Sequence, residues 1–184
     1  MKRIMTLLVF FTLFSHALRA QSPDIYYALG VTLLKDTNYT EAISCFNKVI
    51  EHNDLDIGAL TLRGYAKMKK GHYHEAMDDF NKVIRIDPMV PSAWNHRGLC
   101  KKELKNYRGA LSDFSWAIEL DPQNKEAFYN RGVLKYFHLH NPKGGCKDWE
   151  KAAALGHIPS QMMKKKYCHS KEAATQLTSK ETSR

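Results

Sequence analysis

The sequence predicts an all-α protein built from repeated helix pairs, and three periodic features support this prediction. Glycines recur every 34 residues, at Gly30, Gly64, Gly98 and Gly132. Alanines and aromatic residues recur with the same period, at Ala42, Ala76, Ala110 and at Phe46, Phe80, Phe114. Several columns that share one period indicate tandem copies of one structural module. We therefore expect four repeats, at residues 23–56, 57–90, 91–124 and 125–159, the last with one extra residue near its middle.

The first twenty residues have the composition of a secretory signal peptide, which we place at residues 1–20. Lys2 and Arg3 precede an apolar run from Ile4 to Phe14, and small and polar residues follow up to Ala20. This order is typical of a signal that is removed during export, and Ala20 suits the position before the cut. An uncleaved anchor helix is the alternative, although the apolar run is short for a membrane span. We therefore expect a secreted or periplasmic protein.

Each repeat is predicted to fold as two helices joined by a turn. In the third repeat, Gly98 lies within the first helix, and Ala110 and Phe114 lie on the apolar stripe of the second. A glycine inside a helix costs roughly 1 kcal/mol relative to alanine, so its repetition implies a packing reason. Small residues allow the two helices to approach closely, and the aromatic residue then fills the space beside their contact.

This pattern resembles the tetratricopeptide repeat. The third repeat carries the clearest set of matching residues: Trp94, Gly98, Tyr107, Ala110, Phe114, Ala117 and Pro122. The resemblance covers residues 23–159 and implies a right-handed superhelix of four helix pairs with a concave face. The end repeats depart from the pattern, as capping repeats usually do, because Asp54 replaces a proline and Gly145 replaces an alanine.

The resemblance also implies a binding surface for a protein or peptide partner. In this family the fifth, ninth and twelfth positions of each repeat line the concave face. Here these positions are held by Tyr27, Val31, Leu34, Thr61, Tyr65, Met68, Asn95, Leu99, Lys102, Tyr129, Val133 and Tyr136. Most are apolar or aromatic, and tyrosine suits recognition because it combines a large contact area with a polar tip. Burial under a neighbouring first helix or under the C-terminal cap is the alternative for some of these residues.

A subclass of the family holds the terminal carboxylate of chaperone tails in a clamp of lysine and asparagine. Tyr27, Val31 and Leu62 stand at positions of that clamp in this sequence. The resemblance therefore does not support recognition of a terminal carboxylate.

A second set of columns predicts ion pairs within the last three repeats. Arginine precedes the column glycine and aspartate precedes the column aromatic in these repeats, whereas Leu29 and Cys45 replace both in the first. Joint replacement is expected for contacting residues, because breaking a buried ion pair costs ~3–5 kcal/mol. The predicted pairs are Arg63–Asp79, Arg97–Asp113 and Arg131–Asp148. The alternative is that each arginine extends to solvent.

The last segment, residues 160–184, is predicted to form a capping helix and a disordered tail. Pro159 can begin the helix, and few apolar residues follow it. Cys146 and Cys168 flank the turn before this helix, so antiparallel helices would place them at similar levels. A disulfide between them is one outcome, and an ordinary packing role for Cys146 is the other.

The formal net charge of +9 leaves open a second role. Basic residues cluster at residues 67–70, 101–108 and 164–166. Such clusters could contact acidic polymers of a cell envelope or an anionic membrane surface, although a run of charges is usually only a solvated face. A nucleic acid partner is not expected for an exported protein, and the sequence does not indicate an oligomeric state.

Signals for catalysis are nearly absent. The sequence lacks the glycine-rich and nucleophile motifs of nucleotide-binding proteins and hydrolases, so no catalytic residue and no cofactor are predicted. The pairs His72/His74 and His138/His140 fall in two separate turns, and two imidazoles make an incomplete zinc site. We therefore predict no metal and expect a non-catalytic scaffold.

Overall fold

The computed structural model describes residues 22–168. The predicted signal peptide, residues 1–20, and the predicted disordered tail from residue 169 onward lie outside the described residues. Within residues 22–168 every regular element is a helix, which confirms the all-α class predicted from the sequence.

The described helices form consecutive pairs, one pair in each repeat. The first helices are α1 (Pro23–Lys35), α3 (Ile57–Lys69), α5 (Pro91–Glu103) and α7 (Lys125–Phe137). The second helices are α2 (Tyr39–His52), α4 (Tyr73–Ile86), α6 (Tyr107–Leu120) and α8 (Pro142–Ala154). A short helix, α9 (Ile158–Met163), and one π-helical turn (Lys164–Cys168) follow the last pair.

The chain divides into two compact bodies, one ending at Ile86 and the other beginning at Asp87. In the N-terminal body, α2 packs against both α1 and α3, and α3 packs against α4. In the C-terminal body, α6 packs against α5 and α7, and α8 packs against α7 and α9. Each body therefore contains two repeats in which the second helix of one repeat contacts the first helix of the next.

The two helices of each repeat approach closely at the column glycine. A Cβ atom added at Gly64 would lie 2.8 Å from Cε1 of Phe80, and one added at Gly132 would lie 2.6 Å from the ring of Trp149. Phe80 and Trp149 are fully buried. The aromatic ring therefore packs directly on the backbone of the first helix and leaves no room for a side chain there.

Small and apolar residues also join consecutive repeats. Ala59 of α3 belongs to the buried cluster formed with Ala42 and Phe46 of α2. Leu134 of α7 belongs to a cluster with Phe114 of α6 in the same way. The first helices α3 and α7 are thus buried on the side that faces the preceding repeat of the same body.

The turns inside the repeats share a left-handed residue. Thr37, Gly71, Lys105 and His140 have φ angles of 58°, 84°, 61° and 50°. In the third repeat, the following residue, Asn106, donates its backbone N–H to the carbonyl oxygen of Lys101 at 2.8 Å, which satisfies a carbonyl at the end of α5. The turn of the fourth repeat spans residues 138–141 and is one residue longer than the others. The extra residue of this repeat therefore lies in its turn.

None of the helices formed by residues 22–168 is both long enough and apolar enough to cross a bilayer.

Candidate functional site

The residues predicted to bind a partner all lie on first helices, and we call this set the first-helix surface. In the N-terminal body it consists of Tyr27, Val31, Leu34, Thr61, Tyr65 and Met68. In the C-terminal body it consists of Asn95, Leu99, Lys102, Tyr129, Val133 and Tyr136. Asn95 is buried, at 7% exposed, and the other members are partly exposed.

In the N-terminal body the first-helix surface is continuous from α1 to α3. The ring of Tyr27 meets Phe46 edge-on, with 6.0 Å between the ring centroids. Its hydroxyl reaches α3, since a Cβ atom added at Gly58 would lie 2.8 Å from that oxygen. Val31 and Leu34 also pack against the core from α1. The side chains of α1 are therefore fixed by packing while part of their surface stays accessible.

The residues that α3 adds to the first-helix surface include both polar and apolar side chains. The ammonium group of Lys69 lies 5.8 Å from the ring centroid of Tyr65. The hydroxyl of Thr61 donates to the carbonyl oxygen of Ile57 at 2.7 Å, within its own helix. Tyr65 and Met68 are partly exposed, so they add apolar area that a partner can contact.

In the C-terminal body, polar contacts link the corresponding helices. The side-chain amide of Asn130 on α7 donates to Oδ1 of Asn95 on α5 at 3.1 Å. Leu99 packs against the buried cluster around Phe114. Lys102 forms an ion pair of 2.9 Å with its neighbour Glu103. This half of the first-helix surface is therefore more polar than the N-terminal half.

The C-terminal segment contacts the last part of the first-helix surface. The ring centroid of Tyr136 lies 5.1 Å from that of Trp149 and 5.4 Å from that of Tyr167. The ring of Tyr129 lies 4.8 Å from His157. Tyr136 therefore packs within an aromatic cluster of the C-terminal body instead of lining an open face.

A disulfide ties this segment to the last repeat. Cys146 of α8 and Cys168 of the π-helical turn are bonded, with their Cα atoms 5.7 Å apart. Cys45 and Cys100 are free and buried. Burial raises the pKa of the Cys100 thiol to about 12, so this thiol stays protonated and unreactive at neutral pH.

Each carboxylate that was predicted to pair with an arginine binds two cations. Asp79 lies 2.5 Å from Arg63 and 2.9 Å from Lys67. The same arrangement recurs around Asp113 with Arg97 and Lys101, and around Asp148 with Arg131 and Lys135. The structure thus brings the three predicted pairs together and adds a lysine one helical turn after each arginine.

The sequence contains a periodic signal for these lysines as well. Lys67, Lys101 and Lys135 recur with the 34-residue period, and the first repeat has Leu33 at the corresponding position. The first repeat therefore replaces all three members of the cluster with uncharged residues. The basic clusters predicted at residues 67–70 and 101–108 place Lys67 and Lys101 on a solvated face instead.

The ion clusters reduce the charge that is available to an acidic partner. Lys67 and Lys101 are bound to carboxylates, as described above, and Lys164 lies 3.0 Å from Glu150. The basic patches predicted around these lysines are therefore partly neutralised within the chain.

Two of the arginines also reach the preceding repeat. Arg63 donates from Nη1 to Oδ1 of Asn47 on α2 at 2.8 Å. Arg131 donates from Nη1 to the hydroxyl of Ser115 on α6 at 3.2 Å. These bonds hold the first helix of one repeat against the second helix of the repeat before it.

Among residues 22–168, no group of three or more His, Cys, Asp or Glu side chains is arranged to hold a metal ion. His72 lies 3.5 Å from Glu75, and the ring of His138 stacks on Tyr107 with 4.5 Å between the centroids. Members of both histidine pairs therefore have partners within the chain.

Comparison with protein families and solved structures identifies relatives in fold. Models of the tetratricopeptide repeat match residues 23–53, 57–88 and 91–124, which together are more than half of the chain. Comparison with curated protein sequences finds no significant match.

Three solved structures illustrate the likeness. MamA from Desulfovibrio magneticus RS-1, from residue 41 to its end, has a TM-score of 0.68 and 20% identity, covering 75% of this chain and 77% of that one. TTC0263, a thermophilic TPR protein of Thermus thermophilus, has a TM-score of 0.66 and 18% identity, covering 73% and 74%. The first TPR of Spaghetti (RPAP3), bound to the HSP90 peptide SRMEEVD, has a TM-score of 0.60 and 23% identity, covering 64% and 93%.

Proposed function

The chain belongs to the tetratricopeptide repeat family, and we propose that it is an exported, non-catalytic scaffold that binds a protein or peptide through its first-helix surface. Proteins of this family generally serve protein–protein interaction and not catalysis. The observation that carries the proposal is the partly exposed apolar strip of Tyr27, Val31 and Tyr65 across α1 and α3.

The other faces of α3 are occupied by packing. In α3, Gly64 contacts the ring of Phe80, Arg63 and Lys67 bind Asp79, and Ala59 is buried against α2. The first-helix surface is therefore the part of α3 that can receive a partner. Because its side chains already pack against the core, binding requires little rearrangement.

The structure with a bound HSP90 peptide supports peptide binding as a use of this fold. The clamp for a terminal carboxylate that the resemblance to the family implies is absent from this chain. Tyr27, Val31 and Leu62 carry no charge, so they offer no cation to a terminal carboxylate. We therefore propose that the partner presents apolar side chains from an internal segment to this surface.

We also propose that the chain is exported and cut after Ala20. The charged, apolar and small-residue order of residues 1–20 supports this proposal. The disulfide between Cys146 and Cys168 supports it as well, because disulfides persist mainly in oxidising compartments. N-terminal sequencing of the protein recovered from outside the cytoplasm should begin at Gln21, and a chain that keeps Met1 would contradict the proposal.

Contact with acidic envelope polymers or anionic surfaces is a second candidate function. The run Lys164 to Lys166 favours it, as does the formal charge of +6 that remains when residues 1–20, with three basic and no acidic residues, are removed. The two functions respond differently to salt. Binding to an acidic polymer should weaken steeply as salt is added, whereas binding through tyrosine side chains should change little.

The test of the first-helix surface begins by identifying a partner. A photo-crosslinking amino acid placed at Tyr65 should capture a discrete protein in the native compartment, whereas the same group at Met89 should not. Met89 is a suitable control because it is 67% exposed and lies outside the first-helix surface.

The affinity of the purified partner for the unchanged chain and for its variants then tests the proposal. We expect Tyr65→Ala to weaken binding roughly thirtyfold, because an aromatic anchor in an interface contributes about 2 kcal/mol. Met89→Ala should bind like the unchanged chain. Circular dichroism must show that each variant is folded. Equal binding by a folded Tyr65→Ala, Tyr129→Ala double variant would contradict the proposal.

A further inference from the structure

The helix α1 exposes a face that α3 and α7 bury. Ala59 and Ala66 of α3, and the matching Ala127 and Leu134 of α7, are 0% exposed. These helices pack on that side against the second helix of the preceding repeat, α2 and α6 respectively. Among the described residues, no repeat precedes α1.

The corresponding residues of α1 are Ile25, Ala28, Leu29 and Thr32, and we call them the α1 face. All four are exposed, Ile25 at 42% and Leu29 at 47%. Leu29 stands at the position where Arg63 and Arg131 reach back to the preceding repeat. The α1 face therefore keeps the apolar character of a stacking surface and has lost its charged anchor.

The repeat that carries the α1 face is acidic. Residues 23–56 contain six acidic and two basic residues, a formal charge of −4. Residues 125–184 contain twelve basic and five acidic residues, a formal charge of +7. The first repeat and the C-terminal part of the chain therefore carry opposite charge.

The C-terminal segment presents a second exposed apolar surface. Ile158 and Met162 of α9 are 67% and 68% exposed, and their spacing places them on one side of the helix. The exposed Lys165 and Lys166 lie three and four residues after Met162. We call Ile158 and Met162 the α9 face, which is an apolar pair next to cations.

We propose that copies of this chain associate head to tail, with the α1 face of one copy docked on the α9 face of the next. Apolar side chains meet at the centre, and the acidic first repeat faces the lysines that follow α9. A symmetric pairing of two α1 faces would bring two repeats of charge −4 together, and a pairing of two α9 faces would bring two lysine runs together. Charge complementarity therefore favours the unlike pair.

Head-to-tail association has a consequence that symmetric pairing lacks. Each copy in a complex still has one free face, so further copies can add until a ring closes or a filament grows. The mass measured in solution should therefore rise with concentration beyond that of a dimer, and added salt should lower it.

The experiment uses the full chain as its host processes it, with the N-terminus determined. Leu29→Arg puts into the α1 face the residue type that the later repeats have there, and Met162→Glu puts a negative charge into the α9 face. Both residues are exposed, so both variants should fold. Each variant alone should be monomeric by light scattering at concentrations where the unchanged chain associates.

A mixture of the two variants separates the proposal from its alternatives. The Met162→Glu chain keeps an intact α1 face and the Leu29→Arg chain keeps an intact α9 face, so the mixture should form a one-to-one dimer and nothing larger. Leu55→Arg and Met89→Glu are matched controls, at positions 56% and 67% exposed, and should associate like the unchanged chain.

Three results would overturn the proposal. The unchanged chain could be monomeric at every concentration, or the mixture of folded variants could stay monomeric. Association could also survive Met162→Glu and be lost only with Leu29→Arg, which would indicate a symmetric pairing through α1.

Discussion

The three repeated aspartates bind two cations each in sites that are almost closed to water. Asp79, Asp113 and Asp148 are 3%, 1% and 4% exposed. Each carboxylate accepts two hydrogen bonds from one arginine and also forms an ion pair with a lysine. One negative charge therefore compensates two positive charges. Removal of the carboxylate charge leaves two like charges side by side with little solvent.

This arrangement predicts a large difference between two substitutions of the same kind. Asp113→Asn should lower the free energy of unfolding by about 3–5 kcal/mol, because it leaves buried cations without their partner. Asp54→Asn is the control, since Asp54 is 71% exposed in its ion pair with Lys82. It should cost less than about 1 kcal/mol. Urea unfolding followed by circular dichroism measures the loss of unfolding free energy in both variants. Equal losses would show that Asp113 does not compensate buried cations as proposed.

His96 makes stability depend on pH. Burial lowers its pKa from 6.5 to about 4, so the folded chain stays neutral at this residue where the unfolded chain is already protonated. Between pH 4 and pH 6.5 the unfolded state therefore binds more protons than the folded state does. The resulting stability is fully present above pH 6.5 and is lost as the pH falls toward 4, by about 3 kcal/mol in total.

The variant His96→Leu isolates this contribution. The second repeat has Leu62 at the same position, so leucine is compatible with the repeat. The unfolding free energy of the unchanged chain should fall more steeply between pH 6.5 and pH 4 than that of the variant. Parallel curves for the two proteins would show that another group causes the acid sensitivity.

At the scale of the helix pair, the turn inside each repeat keeps one left-handed residue although the type of that residue changes from repeat to repeat. The second repeat uses Gly71 in the left-handed conformation, whereas the third uses Lys105 with a φ of 61°. A residue with a Cβ atom is strained in this region, and glycine is not.

Lys105→Gly should therefore stabilise the protein by about 1 kcal/mol, because the strain removed exceeds the flexibility that glycine adds to the unfolded chain. Ser112→Gly is the control at an exposed site inside α6, where glycine should instead destabilise by roughly 0.5 kcal/mol. Thermal unfolding of the two variants should shift in opposite directions. A loss of stability in Lys105→Gly would contradict the strain assigned to this turn.

The 34-residue columns account for most of what the sequence could predict about these elements. Gly98 and Phe114 predicted a first and a second helix in close contact, and the family comparison and the helix order confirm that prediction. The position of Lys101 was not predicted, because a one-dimensional pattern does not say whether a long side chain folds over its own helix or extends to solvent. Its recurrence with the arginine column was the available signal.

At the scale of the whole chain, the first and the last repeat differ in whether another segment covers their outer surface. The first repeat leaves the α1 face exposed, whereas the last is covered by α9 and the π-helical turn. The contacts of Tyr136 with Tyr167 could not be predicted from the repeat columns, because they depend on where the chain runs after the last repeat. The capping helix predicted after Pro159 and the spacing of Cys146 and Cys168 were the sequence features that indicated this path.

The disulfide should hold this C-terminal cover in place. Cys146 and Cys168 are 22 residues apart, and closing a loop of this length stabilises the folded state by about 3 kcal/mol in the chain-entropy model. In the Cys146→Ser, Cys168→Ser double variant, hydrogen exchange should become faster in residues 158–167 than in any other helix of the C-terminal body. The thermal midpoint should fall as well.

A reductant provides the matched control for this prediction. It should reproduce the faster exchange in the unchanged chain and have no effect on the double variant, because Cys45 and Cys100 are already free. If residues 158–167 keep their protection without the disulfide, the ring contacts of Tyr167 with Tyr136, Phe137 and Trp149 are sufficient to hold the segment. The covalent bond would then not be needed to keep Tyr136 inside the aromatic cluster.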